Sequence, residues 1–247
     1  MDHAKFWFRR HQATTDSTAI AVFQVFVAGL CIAPAVGALA QDTSTASATQ
    51  TESAQVAAPS VLLEFIDSVN GVRARFIQEV WSDDQRLLEV AQGAVELQRP
   101  GRFRWHYETP YEQFIVADGE SLWMYDVDIA QVTRTPLDAN DPGNPAALLS
   151  GDTEVLHRFE VVDSWELDDE LWVELAPKSP TIEYSTVRIA FAASGVDAVP
   201  RALEFDDGLD QTTLIRFEGA ETNPLLADDH FRFVPPEGVH VLGDTGR

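Results

Sequence analysis

Cysteine is nearly missing from this chain. Its 247 residues contain one, Cys31. No internal disulfide can form and no multi-cysteine zinc site can be built, so stability must come from an ordinary core. Positive charge is also scarce, with 17 Lys and Arg against 40 Asp and Glu. Nucleic acid is excluded as a partner, since binding it requires cations that neutralise phosphates. Anionic lipid headgroups would be repelled as well. The motifs of nucleotide chemistry are absent: there is no G-x-G-x-x-G and no P-loop. No G-x-S-x-G elbow appears. Beyond residue 41 the histidines are His106, His157, His230 and His240, and none is paired at metal-ligand spacing. Neither a metal nor a cofactor is expected. Carboxylate pairs occur at Asp83-Asp84, Asp168-Asp169, Asp206-Asp207 and Asp228-Asp229. Glycoside hydrolysis uses such pairs, but these sit in turn-like contexts and read as solvated turn residues, so no enzyme is expected.

The first 40 residues are of a different kind. Lys5, Arg9 and Arg10 precede the apolar run AIAVFQVFVAGLCIAPAVGALA, which closes on Ala38-Leu39-Ala40. A basic start, an apolar middle and a small-residue end make the pattern of a cleaved signal peptide over 1–40. Leu30 directly before Cys31 argues against a lipid-modified cysteine. Residues 1–40 contain Lys5, Arg9, Arg10, Asp2 and Asp16, so the remainder carries 14 basic and 38 acidic side chains, a net of −24. Residues 41–57, QDTSTASATQTESAQVA, have no apolar period and read as a disordered leader. A single domain is expected over 58–247.

That domain opens on a helix. Leu62, Phe65, Ile66 and Val69 recur at helical spacing, with Ser60 as N-cap and Asn70-Gly71 as the stop, giving a helix over 60–69. The period then changes to two. About ten or eleven short strands follow at the spacing of an antiparallel sandwich or barrel. They include AQVTRTPL, RFEVVDSW, ELWVELAP, STVRIAFA and HFRFVP, and FIVADGESLWMYD reads as two strands around Asp118-Gly119. The long strand from Leu87 to Arg99 has a candidate bulge at Gly93. One short helical piece, NPAALLSG (144–151), has Asn144 as N-cap and Gly151 beyond its end. It is too short to be stable without an apolar support.

One stretch breaks the alternation. In LQRPGRFRWHYETP (97–110), Val95, Leu97, Phe103, Trp105 and Tyr107 share one face, and Arg102, Arg104 and His106 share the other. Pro100-Gly101 reads as a turn between the halves. Arg99 falls on the apolar side. Aromatic residues are abundant on nearly all the strands. A single sheet with little helix either closes on itself or leaves an apolar cavity. An apolar pocket without convergent catalytic groups suggests binding rather than turnover.

The blocks AQGAVELQRPGRFRWHYETP and FIVADGESLWMYD, with LAPK at 175–178 and FRFVPPEGVHV at 231–241, resemble the LolA family of periplasmic outer-membrane lipoprotein carriers. The resemblance spans roughly residues 58–242. It implies a mainly β fold: an unclosed antiparallel β-barrel of about eleven strands, with short helices forming a lid over an apolar cavity. It implies a non-enzymatic, monomeric chaperone in the periplasm. Its cargo would be triacylated lipoproteins, taken from the inner-membrane ABC transporter LolCDE and passed to the outer-membrane receptor LolB. The lid would be Leu62, Phe65, Ile66, Leu148 and Leu149. The acyl-chain cavity would be Val95, Leu97, Phe103, Trp105, Tyr107, Phe114, Val116, Leu122 and Met124. Arg99 matches the arginine that bonds to the lid in the empty carrier. It would be a latch, aimed at the carbonyls near Leu148, Leu149 and Ser150, where a helix end leaves unpaired acceptors. The receptor class of the same fold would need a cysteine at the start of the processed chain. A sensor with this fold would need a second domain, and a hydrolase would need a nucleophile or carboxylate pair in the pocket.

Overall fold

The computed structural model describes residues 51–137, 149–150, 157–179, 185–193, 198–206, 211–227 and 229–243. The expected signal peptide and Leu148 lie outside them. The first element is helix α1 (Thr51–Ser68). It starts well before Ser60, and its first turns run through part of the stretch expected to be disordered. Glu52, Ala54, Gln55, Ala57 and Ala58 are strong helix formers, and that propensity outweighs the lack of an apolar period.

Twelve strands follow: β1 (Gly71–Ser82), β2 (Leu87–Gln98), β3 (Arg102–Thr109), β4 (Gln113–Asp118), β5 (Ser121–Asp126), β6 (Gln131–Pro136), β7 (Phe159–Leu167), β8 (Glu170–Pro177), β9 (Thr186–Ala192), β10 (Pro200–Asp206), β11 (Gln211–Thr222) and β12 (His240–Gly243). They form one sheet in the order β12-β6-β5-β4-β3-β2-β1-β11-β10-β9-β8-β7. Two antiparallel meanders, β1 to β6 and β7 to β11, meet where β1 pairs with β11. Only β12 is parallel to its neighbour. The sheet ends at β12 and β7 without joining them, so it is curled and unclosed.

The strand expected at HFRFVP does not form, and the ladder resumes only at His240. Pro235 and Pro236 lack the N–H groups a strand needs. Phe231 and Phe233 are used without a ladder. Phe231 is buried, and Phe233 packs against Trp123 and Tyr125 at 5.5 and 6.1 Å on the outer face.

The core lies on the face covered by α1, called here the inner face. Val61, Leu62, Phe65, Ile66 and Val69 of α1 join Val72, Phe76, Val95, Leu97, Phe103, Trp105, Val173, Ile189, Phe191, Leu203 and Phe217 in one apolar cluster. Phe65 and Phe191 rings meet at 5.3 Å. The outer face of β8 to β10 is held differently. Arg188 donates to Glu174, Glu204 and Asp206 at 2.7, 2.7 and 3.1 Å. Burial opposes the Arg188 charge, but the three carboxylates outweigh it and keep the guanidinium protonated.

Gly93 is required by a close approach. Pairing of β2 with β3 shifts register between Gln92 and Gly93, and the extra residue is Glu108, so the bulge lies on β3 opposite Gly93 and not in β2 as expected. A Cβ on Gly93 would overlap the His106 carbonyl oxygen and come within 2.9 Å of the Phe76 ring. Gly93→Ala should therefore lower stability by about 1–3 kcal/mol through overpacking. Urea unfolding with an unchanged m-value would show it as a lower midpoint. A midpoint equal to wild type would mean that β3 can yield at the bulge.

Candidate functional site

Strand β2 ends at Gln98, which pairs with Gly71 and Arg102. The next three residues make the turn, with Gly101 in the left-handed region at φ 64°. The Arg99 backbone N–H donates to the Asn70 carbonyl at 2.8 Å, which fixes the turn to the α1–β1 connection. The Arg99 side chain then lies beneath the last turn of α1. That turn has no basic residue of its own, so the positive charge its carbonyls favour comes from another element.

The contacts are specific. Arg99 Nη1 donates to the carbonyls of Phe65 at 2.9 Å, Ile66 at 2.9 Å and Val69 at 2.6 Å. A terminal guanidinium nitrogen carries two hydrogens, so one of them is shared. Nη2 donates to the Leu149 carbonyl at 3.2 Å. The guanidinium also lies over the Phe65 ring, 4.5 Å from its centre. Burial pushes the Arg99 pKa down to about 10, so the group stays charged at neutral pH in an environment that disfavours charge. The expected acceptors near 148–150 are thus only part of the set: two bonds go to α1 and one to Val69 just beyond it. The reason is geometric: α1 ends directly above the turn, where helix-end carbonyls seek donors; the Phe65 carbonyl also accepts the Val69 N–H, so there Arg99 adds a second bond.

Two neighbours complete this end of the sheet. The Gly101 N–H donates to the Ser150 carbonyl at 2.9 Å. Asn223 donates from Nδ2 to the Ser68 carbonyl at 3.1 Å and accepts the Asn70 N–H on Oδ1 at 2.6 Å. Asn223 has φ 52°, a conformation asparagine tolerates better than most residues. It caps α1 from the far end of β11. Sequence reasoning missed it, because nothing local marks a capping residue more than a hundred positions away.

The inner face is apolar next to this end. Cross-strand rows run Leu97–Phe103–Ala117–Leu122 and Val95–Trp105–Ile115–Met124. Aromatic rings form its floor: Phe76 meets Trp105 at 5.0 Å and Tyr107 at 5.1 Å, and Trp105 meets Phe217 at 6.4 Å. On β3 to β5 the row beyond is polar. Tyr107 faces Gln113, which faces Asp126. The Tyr107 hydroxyl donates to Gln78 at 2.9 Å, and Gln113 donates to Asp126 at 2.5 Å.

Most of the expected site residues come together here. Leu62, Phe65, Ile66 and Leu149 cover the inner face, and Val95, Leu97, Phe103, Trp105, Tyr107 and Leu122 line it. Met124 pairs with Ile115 in the same parity. Phe114 and Val116 do not belong. They pair with His106 and Arg104, so they point to the outer face. Phe114 stacks on His106 at 4.1 Å, and Val116 is fully buried there. Ile115 and Ala117 take their places inside. The run FIVA is apolar at both parities, which is how a strand covered on both faces reads, so alternation could not choose between its faces.

No cluster that could hold a metal ion occurs among the described residues. Asp168 and Asp169 are turn residues with positive φ, as the sequence suggested. Asp206 is instead part of the Arg188 ion-pair group.

The LolA outer membrane lipoprotein carrier model matches residues 67–234. An outer-membrane lipoprotein carrier protein of Nitrosospira multiformis is 39% identical over 183 residues, covering 74% of this chain and 87% of its own length. One from Neisseria meningitidis serogroup C is 35% identical over 192 residues, covering 78% of this chain and 90% of that one. Among solved structures, a LolA superfamily protein from Nitrosomonas europaea is 13% identical, with a TM-score of 0.43 over 70% of this chain and 96% of that one. By the span of the family match and the identity to these relatives, the chain belongs to the LolA family of outer membrane lipoprotein carrier proteins.

Proposed function

We propose that this protein carries triacylated lipoproteins across the periplasm, shielding their acyl chains on the inner face of the sheet. It accepts them from an inner-membrane ABC transporter of the LolCDE type and delivers them to an outer-membrane receptor of the LolB type. It reaches the periplasm by a signal peptide removed after Ala40. The observation that carries this reading is Arg99, a charged group on an apolar wall whose two terminal nitrogens donate to the carbonyls of Phe65, Ile66, Val69 and Leu149.

The energetics follow from those bonds. With the inner face empty, the guanidinium is stabilised by the carbonyls at the end of α1 and at Leu149. Acyl chains entering beneath α1 and the Leu149 segment must displace some of them. A half-buried arginine then lacks partners, at about 1–3 kcal/mol for each group left unsatisfied. That cost raises the loaded state, so cargo can pass to a receptor without a further energy source. Arg99 is the latch in this scheme, and α1 and the Leu149 segment are what it holds.

The basic test adds the processed chain, 41–247, to membrane vesicles containing the transporter and a labelled triacylated lipoprotein. ATP-dependent appearance of a one-to-one soluble complex is expected. Label that stays in the membrane beside a folded protein would refute the carrier role. Arg99→Leu should fold and take up cargo but release it to the receptor about tenfold or more slowly, since one or two lost bonds convert to a factor of that order. Release at the wild-type rate would rule out the latch. Leu122→Glu should abolish uptake, because an unpaired carboxylate on the apolar wall is costly. Normal uptake by a stably folded Leu122→Glu variant would place the cargo elsewhere. The periplasmic form should have the mass of a chain starting at Gln41, and a heavier form would show that the segment is retained.

A further inference from the structure

One donor on the inner wall has no acceptor among the described residues. Trp105 is 4% exposed, and among the described residues its indole Nε1 has no hydrogen-bond acceptor. The Tyr107 hydroxyl interacts with the indole and donates its own hydrogen to Gln78, but no hydrogen bond of normal geometry joins it to Nε1. Buried N–H groups are nearly always paired, so an orphan calls for an explanation. Water is a poor one here, because Phe76 and Phe217 pack around the indole and a buried water needs several polar partners.

The position of Trp105 suggests what the missing acceptor is. On β3 to β5 its row is the last apolar one: the next holds Tyr107, Gln113 and Asp126, while on β1 and β11 that same row is Phe76 and Phe217. Glu89, half-buried, lies near Tyr107 with its pKa raised by burial. The donor therefore stands where the wall changes from apolar to polar and acidic. A ligand that fits both sides has a long hydrocarbon part ending in an uncharged acceptor. An ester carbonyl meets that description. A phosphate or a free carboxylate would face Glu89 and Asp126.

We propose that Trp105 Nε1 donates a hydrogen bond to the carbonyl oxygen of an ester-linked acyl chain, so that the cavity selects acyl esters over hydrocarbon alone. The inference rests on the reading of the inner face as the acyl-chain site and deepens it. Loading must open the core enough for the carbonyl to reach the indole. The bond is then made only in the loaded state and offsets part of the cost of freeing Arg99.

The experiment compares two synthetic lipopeptides of equal chain length on the processed protein. In one, two chains are ester-linked to the glyceryl group, and in the other they are ether-linked and lack the carbonyls; neither lipopeptide has an N-acyl chain. Binding is read by displacement of a fluorescent fatty probe. Wild type should prefer the ester by about threefold to tenfold, the factor for one neutral hydrogen bond. Trp105→Phe, which keeps the aromatic floor, should bind the ester as weakly as wild type binds the ether. Its affinity for the ether should be unchanged. Equal affinity of wild type for both lipopeptides would overturn the inference, and so would an ester preference that survives in Trp105→Phe. The wild-type comparison decides the matter even if the variant does not fold. If neither lipopeptide displaces the probe, the carrier reading fails and this inference with it.

Discussion

The carbonyls at the end of a helix need donors, and in this protein a strand supplies them. Arg99 extends from the β2–β3 turn to the final carbonyls of α1 and to Leu149, joining segments far apart in sequence. The turn is held in place by the backbone bonds from Arg99 to Asn70 and from Gly101 to Ser150. Asn223 donates to the Ser68 carbonyl from the end of β11. These donors satisfy acceptors at the end of α1 above an apolar sheet, while its apolar side chains join the core. In the scheme proposed above, the same bonds set the cost of moving that cover.

The two faces of the sheet solve different problems. The inner face is apolar over its α1 end, and its charged group there is satisfied by backbone carbonyls rather than by a carboxylate. The outer face carries ion pairs: Arg188 with Glu174, Glu204 and Asp206, and Arg216 with Glu170. In an acidic chain the few cations are placed where carboxylates would otherwise crowd. The segment after β11 covers another part of the outer face, where His230 meets Glu96 at 2.5 Å and Arg102 lies 5.8 Å from the centre of the Phe231 ring. The polar atoms of the inner wall beyond Trp105 then mark the limit of its apolar surface.

Much of this was legible in the sequence, and the exceptions share a cause. The period of two gave nearly every strand, Gly93 marked where the bulge falls though not the strand that carries it, and parity alone set Arg99 on the apolar side. The start of α1 was misplaced because the pattern of large apolar residues begins later than the run of good helix formers. HFRFVP alternates like a strand, but its prolines cannot join a ladder. Phe114 and Val116 were put inside because FIVA is apolar in both parities, and only pairing with His106 and Arg104 assigns its faces. Asn223 left no local trace at all.

The sequence by itself determined the alternation, the turns, the acidity and the odd position of one arginine, because each depends on residues within a few places of one another. The tertiary structure decided which carbonyls Arg99 would bind, which side of β4 faces the core, and that the Trp105 indole would be buried without an acceptor among the described residues. These depend on strand register and on where a helix end comes to rest, and both are set by contacts between residues tens to more than a hundred positions apart.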